Sequence, residues 1–193
     1  MKEILVEPRF LADEICGILV GVLMEFSHRG YLSRNVANRV EVPAWEVALA
    51  GRSDAAWALR QACELCTTAV RKHFSIGEET FPEFLMLQAN YPGDAHVAHS
   101  DNSKFEEGRW VPNHTPYRTY SAAMYLNDFG LHYTGGELVF PYRGEVFAPK
   151  RGMLVAFPSD HRFVHEVKPV SNGVRYSILL WFTNQESRRA RPL

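Results

Sequence analysis

Along the first third of the chain, apolar residues recur at intervals of three and four. Phe10, Leu11, Ile15, Ile18, Leu19, Val22, Leu23 and Phe26 fall on one stripe, which predicts a helix from Pro8 to about Arg29 with Gly30 as its stop. A second helical pattern runs from Ser53 to Phe74, with Ser53 or Asp54 placed to cap it. Between the two, residues 31–49 ("YLSRNVANRVEVPAWEVAL") follow no single period and leave room for a short strand pair. After Gly77 the texture changes to short apolar stretches bounded by Pro, Gly and Asn, from "EFLMLQANY" to "VRYSILLWF". They predict about eight strands, arranged as a barrel or double-sheet jelly roll. The polar segment 102–117 interrupts them without apolar periodicity and reads as a long loop. The expected fold class is α+β, mainly β. Residues 1–193 form a single domain, in which a helical support (1–76) packs on a β-barrel core (77–185).

Composition narrows the partners. With 193 residues, 46% of them hydrophobic and 22% charged, the chain reads as an ordinary globular protein. A net charge of −1 and scattered basic residues argue against a nucleic-acid partner. No apolar run approaches the roughly 20 residues that span a bilayer, so no membrane partner is expected. The N-terminal "MKEILVEPRFLADE" has acids where a secretory signal would be apolar, which predicts a cytoplasmic protein. Cys63 and Cys66 form a C-x-x-C inside the second helical pattern. With no second cysteine pair, and His73 as the one conceivable further ligand, they read as buried helical thiols.

The candidate chemistry begins at "HSD". In a strand, residues two apart share a face, so His99 and Asp101 project together while Ser100 points away. Alone, such a pair is as well explained as a solvated strand end. Far downstream stands His165, with Arg175 ten residues later. Two histidines and one carboxylate with coordination positions left open form the ligand set of non-haem Fe(II) oxygenases. Arg175 sits on an otherwise apolar strand with Ile178, Leu179, Leu180 and Phe182, where a cation is costly unless an anion meets it. Its planar fork matches a carboxylate. His161 competes with His165, but position 171 is Ser, so only His165 has a basic residue ten further on. His96, three before His99, would face the opposite way in a regular strand, and His28, His73, His114 and His132 read as surface residues. Arg118 is either a substrate contact or a solvated strand end, and Trp181 packs the barrel interior on the Arg175 face.

With these motifs in order, the chain resembles the prolyl hydroxylase branch of the Fe(II)/2-oxoglutarate dioxygenases. The matching segments are "NYPGDAHVAHSDN", "YSAAMYLND", "GGELVFP", "APKRGMLVAFPSD" and "HEVKPVSNGVRYSILLWF", spread over residues 84–182. Tyr91–Gly93 and His165–Val167 are similar to the oxygen-sensing enzymes, and "RTYSAAMYLNDF" and "GGELVF" to the collagen prolyl 3-hydroxylases. The resemblance implies a double-stranded β-helix (jelly-roll, cupin-like) barrel. It also implies Fe(II) held by His99, Asp101 and His165, and 2-oxoglutarate gripped by Arg175 and Tyr125, with Tyr91 lining the cosubstrate pocket. Thr119, Ser121, Ala123 and Tyr125 alternate onto one face, which leaves space for a cosubstrate with the Tyr125 hydroxyl at its end. The implied reaction consumes O₂, releases succinate and CO₂, and hydroxylates an unactivated C–H, with ascorbate as an accessory. Because Asp101 occupies the carboxylate position that halogenases leave to chloride, hydroxylation is the expected outcome. The expected substrate is a prolyl residue in a peptide or protein, the alternative being a free amino acid or small natural product. A barrel that binds metal without turnover is the reading from another class. Two departures bear on the substrate alone: the collagen enzymes' recruiting regions and secretory signal find no counterpart, and segment 102–117 is longer than in the oxygen-sensing enzymes. That segment is a candidate lid.

Overall fold

The computed structural model describes residues 3–30 and 38–191. The chain runs β1 (Leu5–Glu7), α1 (Asp13–His28), β2 (Arg39–Pro43), α2 (Ala44–Leu49), α3 (Ser53–Phe74), β3 (Phe81–Asn90) and β4 (His96–His99). It continues through β5 (Ser103–Glu106), β6 (Arg109–Pro112), β7 (Arg118–Tyr125), β8 (Tyr133–Gly135), β9 (Leu138–Phe140), β10 (Glu145–Phe147) and β11 (Leu154–Pro158). A 3₁₀ turn at His161–Phe163 precedes β12 (His165–Val167), β13 (Val170–Gly173) and β14 (Arg175–Thr183). A six-stranded antiparallel sheet, in the order β1-β11-β7-β14-β3-β2, packs against a four-stranded one, β10-β9-β12-β4. This is the double-sheet jelly roll, mainly β, that the strand pattern predicts.

The period of two divides the large sheet. Ala122 and Met124 of β7 and Ile178, Leu180 and Phe182 of β14 face the helices, where they join Leu19, Leu23, Leu59 and Val70 in one buried cluster. Their neighbours Ala123 and Tyr125 face the small sheet and pack with Leu138, Phe140, Phe157 and Val167 in a second cluster. The helices thus cover one face of the sheet, and the other is left to build a cavity.

Several expectations are corrected. The first helix starts at Asp13 rather than Pro8, because the Phe10 and Leu11 N–H groups donate to the Gly152 carbonyl at 2.7 and 2.9 Å, and before them Leu5–Glu7 extend the sheet edge against β11. Neither Ser53 nor Asp54 caps α3. Arg52 stands at the cap position without a side-chain cap bond, and its guanidinium binds Asp54 and reaches Glu25 on α1. Of the 31–49 stretch, residues 31–37 lie outside the described residues, and the remainder forms one strand and α2 rather than a strand pair. Segment 102–117 is not an irregular loop, since β5 and β6 pair as a hairpin within it. Its Glu107 and Gly108 take left-handed φ angles at the turn. Cys16, Cys63 and Cys66 are free thiols, and burial pushes Cys63 up to about 11 and raises Cys66. Neither Cys63 nor Cys66 is therefore poised as a thiolate ligand. No described helix is long and apolar enough to cross a membrane.

Candidate active site

Strands β4 and β12 run antiparallel and set His99 opposite His165. Asp101, two residues beyond β4, reaches the same point. Its two carboxylate oxygens lie 3.7 Å from His99 Nε2 and 3.7 Å from His165 Nε2. One ligand atom from each residue lies within 4.8 Å of the others, a grouping that could hold a metal ion. The far nitrogen of each ring is already committed. His99 Nδ1 meets the Val97 carbonyl at 2.7 Å, and His165 Nδ1 meets the Phe163 carbonyl at 3.0 Å. A carbonyl only accepts, so both rings carry the proton on Nδ1 and present the Nε2 lone pair inward.

Asp101 is oriented as tightly. Ser121 Oγ donates to its Oδ2 at 2.5 Å and also touches Ser159 Oγ at 2.8 Å, while Thr115 Oγ1 donates to the Asp101 carbonyl at 2.7 Å. Burial alone would raise the Asp101 carboxyl. The neighbouring His165 and His99, the Ser121 hydrogen bond and the Arg118 charge outweigh it, and its pKa is lowered. Burial lowers the His165 pKa against the opposing pull of Asp101. A carboxylate between neutral imidazoles is the protonation state that a divalent metal requires.

The triad shares a cavity of about 440 Å³ with Arg175. Arg175 is 2% exposed and has no carboxylate partner among the described residues. One guanidinium nitrogen donates to Asn90 Oδ1 at 2.8 Å, and the guanidinium carbon lies 5.0 Å from the Tyr125 ring centre. Arg175 Nε and the Tyr125 and Tyr133 hydroxyls are buried without hydrogen-bond partners. Burial raises both phenols, against the opposing Arg175 charge and, at Tyr125, the direct approach of the guanidinium, so both hydroxyls keep their protons. Buried donors left unsatisfied are costly, and here they cluster around Arg175, where an anion would satisfy them. Gly136 makes room for the arginine stem: a Cβ there would meet Arg175 Cδ at 3.0 Å, and its φ of +72° is in the left-handed region.

The structure gathers His99, Asp101, His165, Arg175 and Tyr125 around this cavity, but it does not place Tyr91 there. Asn90 shares the face of β3 that brings Met86 and Gln88 to the cavity, so alternation turns Tyr91 to the helix side, where its hydroxyl bonds Ser27 Oγ at 2.6 Å on α1. Tyr133, which sequence reasoning missed, is the second phenol near Arg175. His96 also departs from expectation. The register between β4 and β12 shifts between the His165–His99 and Val167–His96 pairs. That bulge returns His96 to the cavity side with its Nε2 buried and unpartnered. Burial, followed by the Arg39 and Arg175 charges, pushes its pKa down to about 3. His114, expected at the surface, is exposed yet stands at the cavity rim. His161 is excluded from the triad and stacks on Trp110 at 5.4 Å. Trp181 lines the cavity with the Arg118 guanidinium over its ring at 4.1 Å, and Arg118 pairs with Glu83 at 3.0 Å. A second cavity, of about 470 Å³, adjoins the first through His99 and Ser100. Its walls include Phe105 and Trp110 of the hairpin, together with Tyr142 and His161.

A sequence model described as the 2OG-Fe(II) oxygenase superfamily matches residues 86–183, about half of the chain. Among curated proteins, prolyl 3-hydroxylase 2 of Rattus norvegicus is 33% identical over 98 residues, 46% of this chain and 14% of its own length. Human prolyl 3-hydroxylase 1 is 35% identical over 107 residues, 50% of this chain and again 14% of its own length. The chain therefore spans a small part of these relatives. Among solved structures, a prolyl hydroxylase from Trichoplax adhaerens, in complex with a hypoxia inducible factor peptide fragment, superposes with a TM-score of 0.70. It is 20% identical, covering 97% of this chain and 86% of that one. A Pseudomonas putida prolyl-4-hydroxylase gives a TM-score of 0.66 at 24% identity, covering 95% and 93%. At these identities the structures establish the shared fold, and the sequence match establishes more: this chain belongs to the 2OG-Fe(II) oxygenase superfamily.

Proposed function

We propose that the chain is an Fe(II)- and 2-oxoglutarate-dependent dioxygenase that hydroxylates a prolyl residue in a peptide or protein. The observation that carries this reading is a single cavity with two unsatisfied ends. At one end the Nε2 atoms of His99 and His165 and the Asp101 carboxylate converge. At the other lie a buried guanidinium without a carboxylate partner and the unpartnered Tyr125 hydroxyl, with the Tyr133 phenol beside the arginine. These donor sets fit a divalent metal and a dicarboxylate. When bound, Fe(II) and 2-oxoglutarate would together supply activation of O₂ for C–H hydroxylation, with succinate and CO₂ released.

The chain's own residues do the rest. His99, Asp101 and His165 would hold the metal, with Ser121 fixing the carboxylate. Arg175 and Tyr125 would take the distal carboxylate. Leu138, Phe157 and Leu179 line the cavity and exclude water from it. Arg118 and Trp181 line the cavity as a stacked pair, an aromatic surface and a donor-bearing cation together, suited to a prolyl residue and its flanking carbonyls. The adjoining aromatic cavity extends the binding surface beyond the size of one amino acid, which favours a peptide. In the same reading, residues 1–193 act as one catalytic domain, the setting is cytoplasmic, and ascorbate serves as an accessory reductant.

The test pairs spectroscopy with turnover. Fe(II) and 2-oxoglutarate added anaerobically to the metal-free protein should give a visible charge-transfer band that His165→Ala abolishes. A folded protein without the band refutes the iron reading and leaves a ligand-binding barrel. Succinate release should then respond to proline-containing peptides. A response to free amino acids alone would move the substrate to a small molecule.

A further inference from the structure

Two arginines are buried among the described residues, Arg39 and Arg175, and they share one row of the large sheet. Asn90 of β3 stands between them, in register with Arg39 of β2 on one side and Arg175 of β14 on the other. One buried carboxylate, Asp94 at 3% exposed, follows β3 and closes the group. Arg39 grips it with both arms of its fork, Nε to Oδ2 at 2.9 Å and Nη2 to Oδ1 at 2.8 Å, and binds the Ala95 carbonyl at 3.0 Å. Arg39 also reaches Glu41 at 3.4 Å. Asn90 Nδ2 donates to Asp94 at 2.7 Å, and Asn90 Oδ1 accepts from Arg175 at 2.8 Å. A carboxylate only accepts and a guanidinium only donates, so both neighbours dictate the same orientation of that amide.

The consequence is electrostatic. A buried carboxylate requires a cation; Asp94 binds one, Arg39, directly and is linked to a second, Arg175, through Asn90. As long as Arg39 holds it, Arg175 keeps its charge uncompensated. Burial pushes the neighbouring His96 down to about 3, so without Arg39 the permanent cation left to Asp94 is Arg175 across Asn90, and pairing there would occupy the group that meets the cosubstrate. We infer that Arg39 is a positioning residue for cosubstrate binding: it sequesters Asp94, with Asn90 as spacer, so that Arg175 stays free for the distal carboxylate of 2-oxoglutarate. This rests on the proposed role of Arg175. Arg39 lies outside the segment matched to the family, on β2 at the edge of the large sheet.

The experiment is a calorimetric titration of 2-oxoglutarate into the full chain loaded with redox-inert Mn(II), accompanied by steady-state kinetics. Arg39→Gln is expected to weaken 2-oxoglutarate binding by about tenfold or more, in KM rather than kcat, with Mn(II) affinity unchanged. Asp94→Asn removes the competing charge and should leave 2-oxoglutarate affinity within about threefold of the parent, and Arg39→Gln/Asp94→Asn should recover to the same range. A merely structural tie predicts the opposite, with the double variant as impaired as Arg39→Gln or worse. That result, or parental affinity in Arg39→Gln, overturns the inference. Should Arg39→Gln fail to fold, Asp94→Asn carries the test, and a tenfold loss in that folded variant overturns it equally. A parent chain that takes up Mn(II) but no 2-oxoglutarate refutes instead the reading of Arg175.

Discussion

Strands β7 and β14 each present two faces, and the two faces solve different problems. Toward the helices they show Ala122, Met124, Ile178, Leu180 and Phe182, apolar and at most 4% exposed. Toward the small sheet they show Ser121, Tyr125, Arg175 and Ser177, also buried but polar. The outer face is satisfied by packing alone. The inner face keeps donors without partners at Tyr125 and Arg175, on the side where the cavity lies. The same backbone therefore carries stability on one set of alternate residues and ligand chemistry on the other. The inner face bears the cost of unmet hydrogen bonds until a ligand meets them.

This contrast can be broken from either side. Arg175→Ala, on the inner face, is expected to weaken 2-oxoglutarate binding by about a hundredfold or more while metal affinity persists, as checked by calorimetry. Ile178→Ala, three residues along on the outer face, should do the reverse. It should cost about 2–5 kcal/mol in a urea unfolding titration and leave the cosubstrate affinity of the folded protein unchanged. If either variant behaves like the other, the two faces are not separable. Ser121→Ala sharpens the comparison at the metal end. Loss of its bond to Asp101 should reduce metal affinity about 10- to 100-fold without altering the fold, read by competition with a chelator.

The smallest effect expected is on pH dependence. Burial would raise the Asp94 carboxyl, but the Arg39 and Asn90 hydrogen bonds and the Arg39 charge hold it below its ordinary 3.8. The unfolded chain takes up this proton at a higher pH than the folded one. The stabilisation is therefore present above that value and lost as pH falls through the folded pKa. In the metal-free protein, Asp94→Asn should show a shallower acid-side loss of stability than the parent. An unchanged slope would mean that Asp94 gains no net stabilisation from its partners.

Much of this arrangement was legible in the residue pattern. The 3.6 period delimited α3 at both ends, and the period of two placed Ser121, Ala123 and Tyr125 on one side of β7. The spacing of His99, Asp101, His165 and Arg175 paired residues more than sixty positions apart in the chain, which the fold then brings around one cavity. Where reading failed, the cause was non-local. The first helix begins five residues late because the Phe10 and Leu11 N–H groups are taken by Gly152, in a turn more than 140 residues away. Segment 102–117 looks featureless because its hairpin has too little apolar content to show a period. His96 was assigned to the wrong face because the bulge opposite it depends on the partner strand β12.

What the sequence determined by itself was therefore local: which stretches are helical, which strand residues share a face, and which residue types are available for metal and carboxylate chemistry. These follow from backbone periodicity and side-chain chemistry, which each segment carries without its neighbours. Tertiary structure alone decided the rest. It turned Tyr91 toward Ser27, left the Tyr133 hydroxyl unpartnered, and aligned Arg39, Asn90 and Arg175 in one row, because strand register and burial are properties of pairs of segments.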